Sequence, residues 1–578
     1  MRYSIETIKS LTYDGLRPFC DQIRALLIDN FSEHGGHVGS NLGTVELIVS
    51  MLKEFDYHRD YIISDTGHQS YLMKLLTERP NVFASIRKTG GLSGFADKYE
   101  NPRDHYISGH GGSGVSACVS LVEALKRRPD ASRVICLVGD AAMAEGLALE
   151  ALNNLTAAGH SRLILVLNDN GWSIERNLGN LSRIFGSAQT SESLFNLLGF
   201  GYVHCADGHD LHALAAAWEE VHRLDGHTVI HVRTVKGRGL PVAEADTRRR
   251  LHYTDPFDPA TGQKRQTFEG LIRFVDVNAA ALCDLRREDE RVVAITPAMC
   301  GGNGLDVFQD EFPESFFDAG MCEQYALASA NGHAIAGNIP VVALHAAFLP
   351  RAFDQVFQDI CLQNIHAVLL IGRSGFAGPD GPTHHGVFDL SYLRCLPNLT
   401  MISPRDGNDY YRAIRDSVEK AKGPVAILTP HAYTVFSPEL RNQSLPPPAA
   451  IEHVSAGEDL LILCTGVTYS EAMSLRDKLS DKGQSVGVAH IRQVKPLDKA
   501  LLRHLVTSYK EVLVLEENTA IGGLGSELAL WMKQEDLGLP LKHFAVGDCF
   551  YPHGDIPSLR EMSGISHAKV FEKVVFGI

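Results

Sequence analysis

Two short polar stretches in this 578-residue chain have the composition of a cation site. Gly139-Asp140 follows the apolar run VICLV, and Asn168-Asp169-Asn170 follows LILVL, with the helical pattern AEGLALEALNNL between them. Apolar runs of this kind read as parallel strands, and open parallel sheets gather ligands beyond their carboxyl ends. Asp140 and Asn170 stand at two such ends and offer hard oxygen atoms with little charge. That suits Mg²⁺, which takes few protein ligands and completes its octahedron with phosphate oxygens and water. Small residues after Asp140 let backbone N–H groups approach a phosphate at the start of the next helix. Either stretch alone is an ordinary turn or cap. Their joint placement predicts a Mg²⁺–diphosphate site.

The elements that must position these residues extend along the whole chain. Further apolar runs are PVVALHA and AVLLIG, then LLILCTG and EVLVLEEN, all alternating with helical patterns. Two segments read as linkers: DPFDPATGQKRQ at 255–266 and SPELRNQSLPPPAA at 437–450, whose triple proline can continue neither a helix nor a central strand. The expected architecture is α/β, with three consecutive domains at 1–260, 267–440 and 451–578, each a mostly parallel sheet flanked by helices.

Composition narrows the function. A net charge of −15 and the lack of any basic run argue against a nucleic-acid partner. Eleven scattered cysteines without a CxxC pair fit reduced thiols, and the chain shows neither a signal-peptide pattern nor a membrane-spanning run. A cytoplasmic enzyme with small-molecule substrates is expected. Gly109–Gly114 fits G-x-G-x-x-G, but DHYIS before it is too short and polar for a buried strand, and the ribose-binding acid is missing. A dinucleotide site is therefore not expected there.

The Gly-Asp to Asn spacing resembles the thiamine diphosphate motif, and its surroundings resemble the 1-deoxy-D-xylulose-5-phosphate synthases of the transketolase superfamily. The stretches that carry the resemblance include EHGGHVGSNLGTVEL (33–47), SDTGHQSYLMKLLT (64–77), VLNDNGWSI (166–174), EQYALASANGHAIAG (323–337), FLPRAFDQ (348–355), DGPTHHGVFDLSYLRCLPN (380–398) and EENTAIGGLGSE (516–527). It implies a homodimer that uses thiamine diphosphate and Mg²⁺ to decarboxylate pyruvate and pass the two-carbon unit to an aldehyde. It also implies residue roles. Glu323 is the acid beside the aminopyrimidine, Phe348 stacks on that ring and Arg351 lies beside it. Asp140, Asn170 and the carbonyl of Trp172 hold Mg²⁺, while Gly139, Ala141 and Ala142 face the diphosphate. His37, His68, His110 and His384 line the reacting centre, and Lys98, Arg373 and Asp380 lie near substrate. Without the resemblance, Glu323 reads as a first-turn helix acid, Phe348 as core, and each histidine as a structural hydrogen-bonder. The pairs His34/His37 and His384/His385 lack the company of a zinc site.

Several positions depart from the family pattern. His431 stands where an acceptor-phosphate arginine is expected, and His345 replaces a tyrosine three residues before Phe348. A serine-rich loop has become GHGGSG, Ala141 replaces a glycine, and Pro256 replaces a lysine for which Lys236 and Arg238 are the nearby substitutes. Glu145 is closer to the ordinary transketolase pattern. Histidine does not reproduce arginine's permanent, bidentate charge. The acceptor is thus left open between glyceraldehyde 3-phosphate and an aldehyde of other size or without phosphate. The nearest rival activity is ketol transfer from a ketose without release of CO₂. More distant ones are a dehydrogenase component that acylates lipoamide and a silent binding protein that keeps the fold.

Overall fold

The computed structural model describes residues 3–77, 82–128, 132–439 and 448–577. They form two compact units. One extends to Thr267 and includes Gly320–Cys322; the other takes Phe268–Ala319 and the chain from Glu323 onward.

The first unit is built on five parallel strands, β1 (Tyr61–Ser64), β2 (Val134–Gly139), β3 (Leu163–Asp169), β4 (Gly201–Cys205) and β5 (Thr228–Arg233), in the order β1-β2-β3-β5-β4. Alternate residues of each strand enter two different cores, as a period of two requires. Ile135, Leu137, Ile164, Val166, Ile230 and Val232 pack with the long helices Tyr13–His34, Val45–Glu54 and Leu211–Arg223. Val134, Cys136, Val138, Leu163, Leu165 and Leu167 pack on the other face with α1 (Ser113–Leu125) and α2 (Gly146–Asn153). Burial on both faces is why these strands are continuously apolar in sequence.

The second unit holds two larger sheets and a two-stranded antiparallel pair, Ile272–Arg273 with Tyr433–Thr434. One contains β6 (Val292–Thr296), β7 (Phe316–Asp318), β8 (Ile339–His345), β9 (Val368–Ser374), β10 (Thr400–Ile402) and β11 (Val425–Pro430). The other contains β12 (Ile451–Ser455), β13 (Leu460–Cys464), β14 (Val486–Ile491), β16 (Glu511–Thr519) and β17 (Leu541–Val546), with β12 antiparallel at its edge. The short strand β15 (Gln493–Lys495) leaves this second sheet and pairs antiparallel with β10 of the first. The inner faces of the two sheets share one core. Val342, Leu344, Leu369 and Ile371 from the first belong to it together with Leu461, Leu463, Val512 and Val514 from the second, α3 (Glu323–Ile335) and α4 (Leu524–Gln534). A shared apolar core makes the two sheets one compact body.

The segment at 255–266 differs from the linker expected of it. It is a folded hairpin: Phe257 is completely buried, its N–H donates to the Ser32 carbonyl at 3.1 Å, and Arg265 returns to the Pro256 and Phe257 carbonyls. One large apolar residue, easily overlooked among prolines and aspartates, anchors it. Of the second linker, residues 440–447 lie outside the described residues. Among the described residues no helix is long and apolar enough to cross a membrane.

Candidate active site

In the first unit, β2 and β3 run side by side with Gly139 opposite Asn168, so Asp140 and Asn170 emerge at adjacent strand ends. Asp140 is buried. Its carboxylate accepts from Ala141 N at 3.0 Å and from Gly171 N at 2.7 Å, and Asn170 Oδ1 accepts from Trp172 N at 2.9 Å. The Arg176 and Arg250 guanidinium groups lie over the indole of Trp172, 4.4 and 5.3 Å from its centre. A tight turn, Ala142–Ala144, separates Asp140 from α2, so the helix begins later than the sequence pattern indicated. Cβ atoms built on Gly139 and Gly171 would meet nothing within 4 Å, which leaves open space over both strand ends.

Behind Asp140 stands Asp169, whose importance the sequence reading missed. It is bound by His231 Nε2 at 2.8 Å and by Arg233, and His231 Nδ1 meets the Tyr202 hydroxyl at 2.8 Å. Burial and the adjacent Asp169 charge push the Asp140 carboxyl well above the usual range. Burial also works on Asp169, but hydrogen bonds from His231 and Asp140 and the charge of Arg233 hold it below that range. A buried carboxylate against a second carboxylate, with an amide oxygen at the neighbouring strand end, is a donor set that fits a divalent cation.

Three imidazoles form a wall in the same unit. The rings of His37 and His68 are 5.5 Å apart, and each lies 5.6 Å from His252. His252 was not among the histidines expected from the sequence, because the stretch around it carries no motif. Lys236, completely buried in its side-chain surroundings, donates to the Ser173 carbonyl at 2.5 Å and meets His252 Nδ1 at 3.0 Å. Burial lowers its pKa to about 7. Of the two cations offered as substitutes for the lysine missing at Pro256, Lys236 is inside and Arg238 is exposed. Burial lowers His68 to about 3 and His252 well below the ordinary range, so both are neutral at pH 7 and contribute hydrogen bonds rather than charge. His68 Nδ1 is buried and has no hydrogen-bond partner among the described residues.

His110 lies in the glycine-rich loop before α1, where its carbonyl accepts from Ser113 Oγ at 2.6 Å. The amides of this loop have a protein partner. Buried Asp65 accepts from Gly112 N, Gly114 N and Val115 N at 2.9, 2.7 and 3.1 Å, capping α1 with a carboxylate. The turn that mimics a dinucleotide motif is therefore an internally capped helix start. A Cβ on Gly111 would come within 2.0 Å of Glu145 Oε1, so the glycines here accommodate Glu145. Two departures from the family pattern thus have one steric cause. Lys98 is exposed, with its ammonium 5.2 Å from the centre of the exposed Tyr99 ring.

In the second unit, Glu323 opens α3 but is buried, only 7% exposed. Its Oε2 makes no hydrogen bond among the described residues and faces Arg351 Nη1 at 3.7 Å. Burial lifts the Glu323 carboxyl above the ordinary glutamate range against the pull of Arg351. Phe348, half-buried at the end of β8, has His345 stacked at 6.1 Å and His384 edge-on at 5.5 Å. Its exposed face distinguishes it from a core phenylalanine. His345 is buried and neutral, its pKa driven well down by burial and by Arg373, and its Nε2 lies 3.4 Å from the Gly302 carbonyl. Arg373 binds Asp380 at 2.9 Å, His384 Nδ1 meets Thr383 Oγ1 at 2.9 Å, and His431 Nδ1 lies 3.0 Å from the Ala377 carbonyl. The unit thus presents a buried acid, an aromatic face and a polar wall.

Residues 3–194 and 186–234 match the sequence profile of 1-deoxy-D-xylulose-5-phosphate synthase. Residues 272–434 match the transketolase pyrimidine binding domain, and 449–570 the transketolase C-terminal domain. The 1-deoxy-D-xylulose-5-phosphate synthase of Syntrophus aciditrophicus is 36% identical over 97% of this chain and 92% of its own length. The chain belongs to the 1-deoxy-D-xylulose-5-phosphate synthase family. Synthase 1 of Geobacter sulfurreducens is likewise 36% identical, over 97% of this chain and 94% of its own. Among solved structures, a transketolase from Campylobacter jejuni aligns over 97% of the chain and 99% of its own at 17% identity, with a TM-score of 0.46. The synthase profile stops before His252, and the pyrimidine-domain match contains Glu323, Phe348, Arg373, Asp380, His384 and His431.

Proposed function

We propose that this member of the synthase family is a thiamine diphosphate-dependent transferase that decarboxylates pyruvate and passes the two-carbon unit to an aldehyde. The observation that carries the proposal is Glu323, a buried carboxyl in a chain of this family with an unsatisfied Oε2. Three features support the fit of the cofactor: that orphaned oxygen, the open space over Gly139 and Gly171, and the Asp140–Asp169 carboxylate pair. When bound, the cofactor supplies a carbon nucleophile and an electron sink for decarboxylation and carbon–carbon bond formation.

In this proposal Asp140, Asn170 and the Trp172 carbonyl hold Mg²⁺, and Gly139, Ala141 and Ala142 form the turn against the diphosphate. Glu323 holds a proton at its carboxyl for a ring nitrogen of the pyrimidine, and Phe348 orients that ring. Arg351 keeps Glu323 able to release the proton by offsetting part of its desolvation. His37, His68, His110, His252 and His384 give hydrogen bonds to the reacting oxygens, while His345, Arg373, Asp380 and His431 face substrate. Lys98, an exposed cation, is a further residue of this proposal on the substrate side. The three domains correspond to 1–260, 267–440 and 451–578, in a cytoplasmic homodimer. Hydrogen bonding of His431 Nδ1 to a carbonyl and of Arg373 to Asp380 favours an acceptor recognised through hydroxyl groups over one held by phosphate.

The test is CO₂ release from pyruvate with thiamine diphosphate and Mg²⁺, alone and with free and phosphorylated aldehydes. Aldehyde-stimulated release is expected. Turnover of a ketose donor with no CO₂ from any pair would instead establish transketolase-type ketol transfer.

A further inference from the structure

The loop that carries Asp380 and His384 is held at its flanks by the third sheet and its connections. Phe376 N donates to Glu517 Oε1 at 2.9 Å, and Thr519 N donates to the Val387 carbonyl at 2.7 Å. Glu517 and Thr519 both belong to β16. His385 closes the middle. Its Nδ1 accepts from Ala377 N at 3.0 Å, so the proton sits on Nε2 and is donated to the Pro552 carbonyl at 3.0 Å. Gly554 N adds a longer bond to the Gly378 carbonyl, 3.4 Å.

This loop needs outside support. Arg373, just before it, has φ +58°, a left-handed conformation that a non-glycine residue adopts at a cost of roughly 1–3 kcal/mol and keeps only when its surroundings impose it. Gly375, Gly378 and Gly381 also have positive φ, so the chain between Arg373 and His384 gains little stiffness from its own backbone. Glu517 approaches so closely that a Cβ on Gly375 would lie 2.4 Å from its Oε1. The other oxygen, Oε2, is bound by Arg560 Nε, and Arg560 in turn reaches Glu471 Oε1 at 3.4 Å. Glu517 is 8% exposed, so its bond to Phe376 N is a charge-assisted one shielded from water.

We propose that Glu517 is a positioning residue. Backed by Arg560, it fixes the loop from Arg373 to Val387, so that the third domain, which supplies none of the proposed reacting groups, sets the geometry of the substrate-facing ones. The proposal rests on the reading of this loop as substrate-binding. Its test is therefore split between kinetics and a measurement that needs no turnover.

In the full-length protein, Glu517→Gln keeps the shape and an acceptor oxygen but removes the charge. Exchanging a charge-assisted hydrogen bond for a neutral one should raise the KM for the aldehyde about tenfold, with kcat nearly unchanged. It should speed amide hydrogen exchange within 376–387 by a similar factor of about ten. The control is Leu502→Ala, which opens a cavity in the core shared by the second and third sheets, to which no residue of 376–387 belongs, and loses stability without touching the loop. Its KM and its exchange in 376–387 should match the parent. Equal KM shifts in both variants, or faster exchange in Glu517→Gln spread over the third sheet with the loop unchanged, would reduce Glu517 to an ordinary structural residue. If the parent releases no CO₂ with any aldehyde, the functional reading fails, and the exchange comparison alone decides the positioning role.

Discussion

Replacing Glu323 by glutamine should inactivate the protein and stabilise it. The carboxyl is buried, its pKa lies above the ordinary value because of that burial, and the Arg351 guanidinium is 3.7 Å away. A group whose folded-state pKa is raised is most easily buried when protonated. Its favourable state is complete below the unfolded glutamate pKa and is lost as pH rises through the folded value. Glutamine has the same shape and no charge to bury. The cofactor-free Glu323→Gln variant should therefore match the parent near pH 4.5 and exceed it at pH 8. The gain should be on the order of 1–2 kcal/mol, the scale of relieving one strained functional group. For a unit of this size that is about 1–3 °C in Tm. Loss of the proton-holding acid should lower kcat by about 10²–10⁴. Thermal unfolding of both proteins across pH 4.5–8, without thiamine diphosphate, reads the first effect, and CO₂ release the second. A variant less stable than the parent at pH 8, or a stability difference that does not grow with pH, would refute the reasoning that Glu323 is held at an energetic cost.

Asp140→Asn should weaken Mn²⁺ binding, followed by electron paramagnetic resonance, by about 100-fold or more, with the fold intact. Asp65→Asn places an amide among three backbone donors at the start of α1 and should cost roughly 2–3 kcal/mol in thermal unfolding. Phosphate on the aldehyde should change kcat/KM by less than about tenfold, and His431→Arg should shift preference toward the phosphorylated aldehyde. A preference of several orders of magnitude for the phosphorylated form in the parent would overturn the acceptor reading.

The parallel strands were legible because burial on both faces makes them continuously apolar: VICLV and LILVL became β2 and β3, and LLILC became β13. The adjacency of Asp140 and Asn170 was legible because two neighbouring apolar runs each end in a small polar residue, although either end alone reads as an ordinary turn. His252 and Asp169 were not. His252 lies just before the 255–266 segment, in a stretch that carries no motif, and its surroundings come from Lys236 and two distant histidine loops that only folding brings together. Asp169 was masked by its neighbours, because which residue of Asn-Asp-Asn faces the core depends on strand parity and on partners carried by β4 and β5. The shared core of the second and third sheets left no trace in the sequence, since an apolar residue facing another sheet looks the same as one facing a helix.

The strand β15 bears on how such a gene can be divided. It lies in sequence after the proline-rich connection at 437–450, yet it completes the edge of the sheet built by the preceding segment. A cut placed in that connection would leave the upstream fragment with an unpaired strand edge at β10 and the downstream fragment with a short strand and no partner. Neither piece would be a finished module to graft elsewhere. Produced together, they are expected to recognise each other through that edge and reassemble, so the chain can be interrupted there without its parts becoming independent.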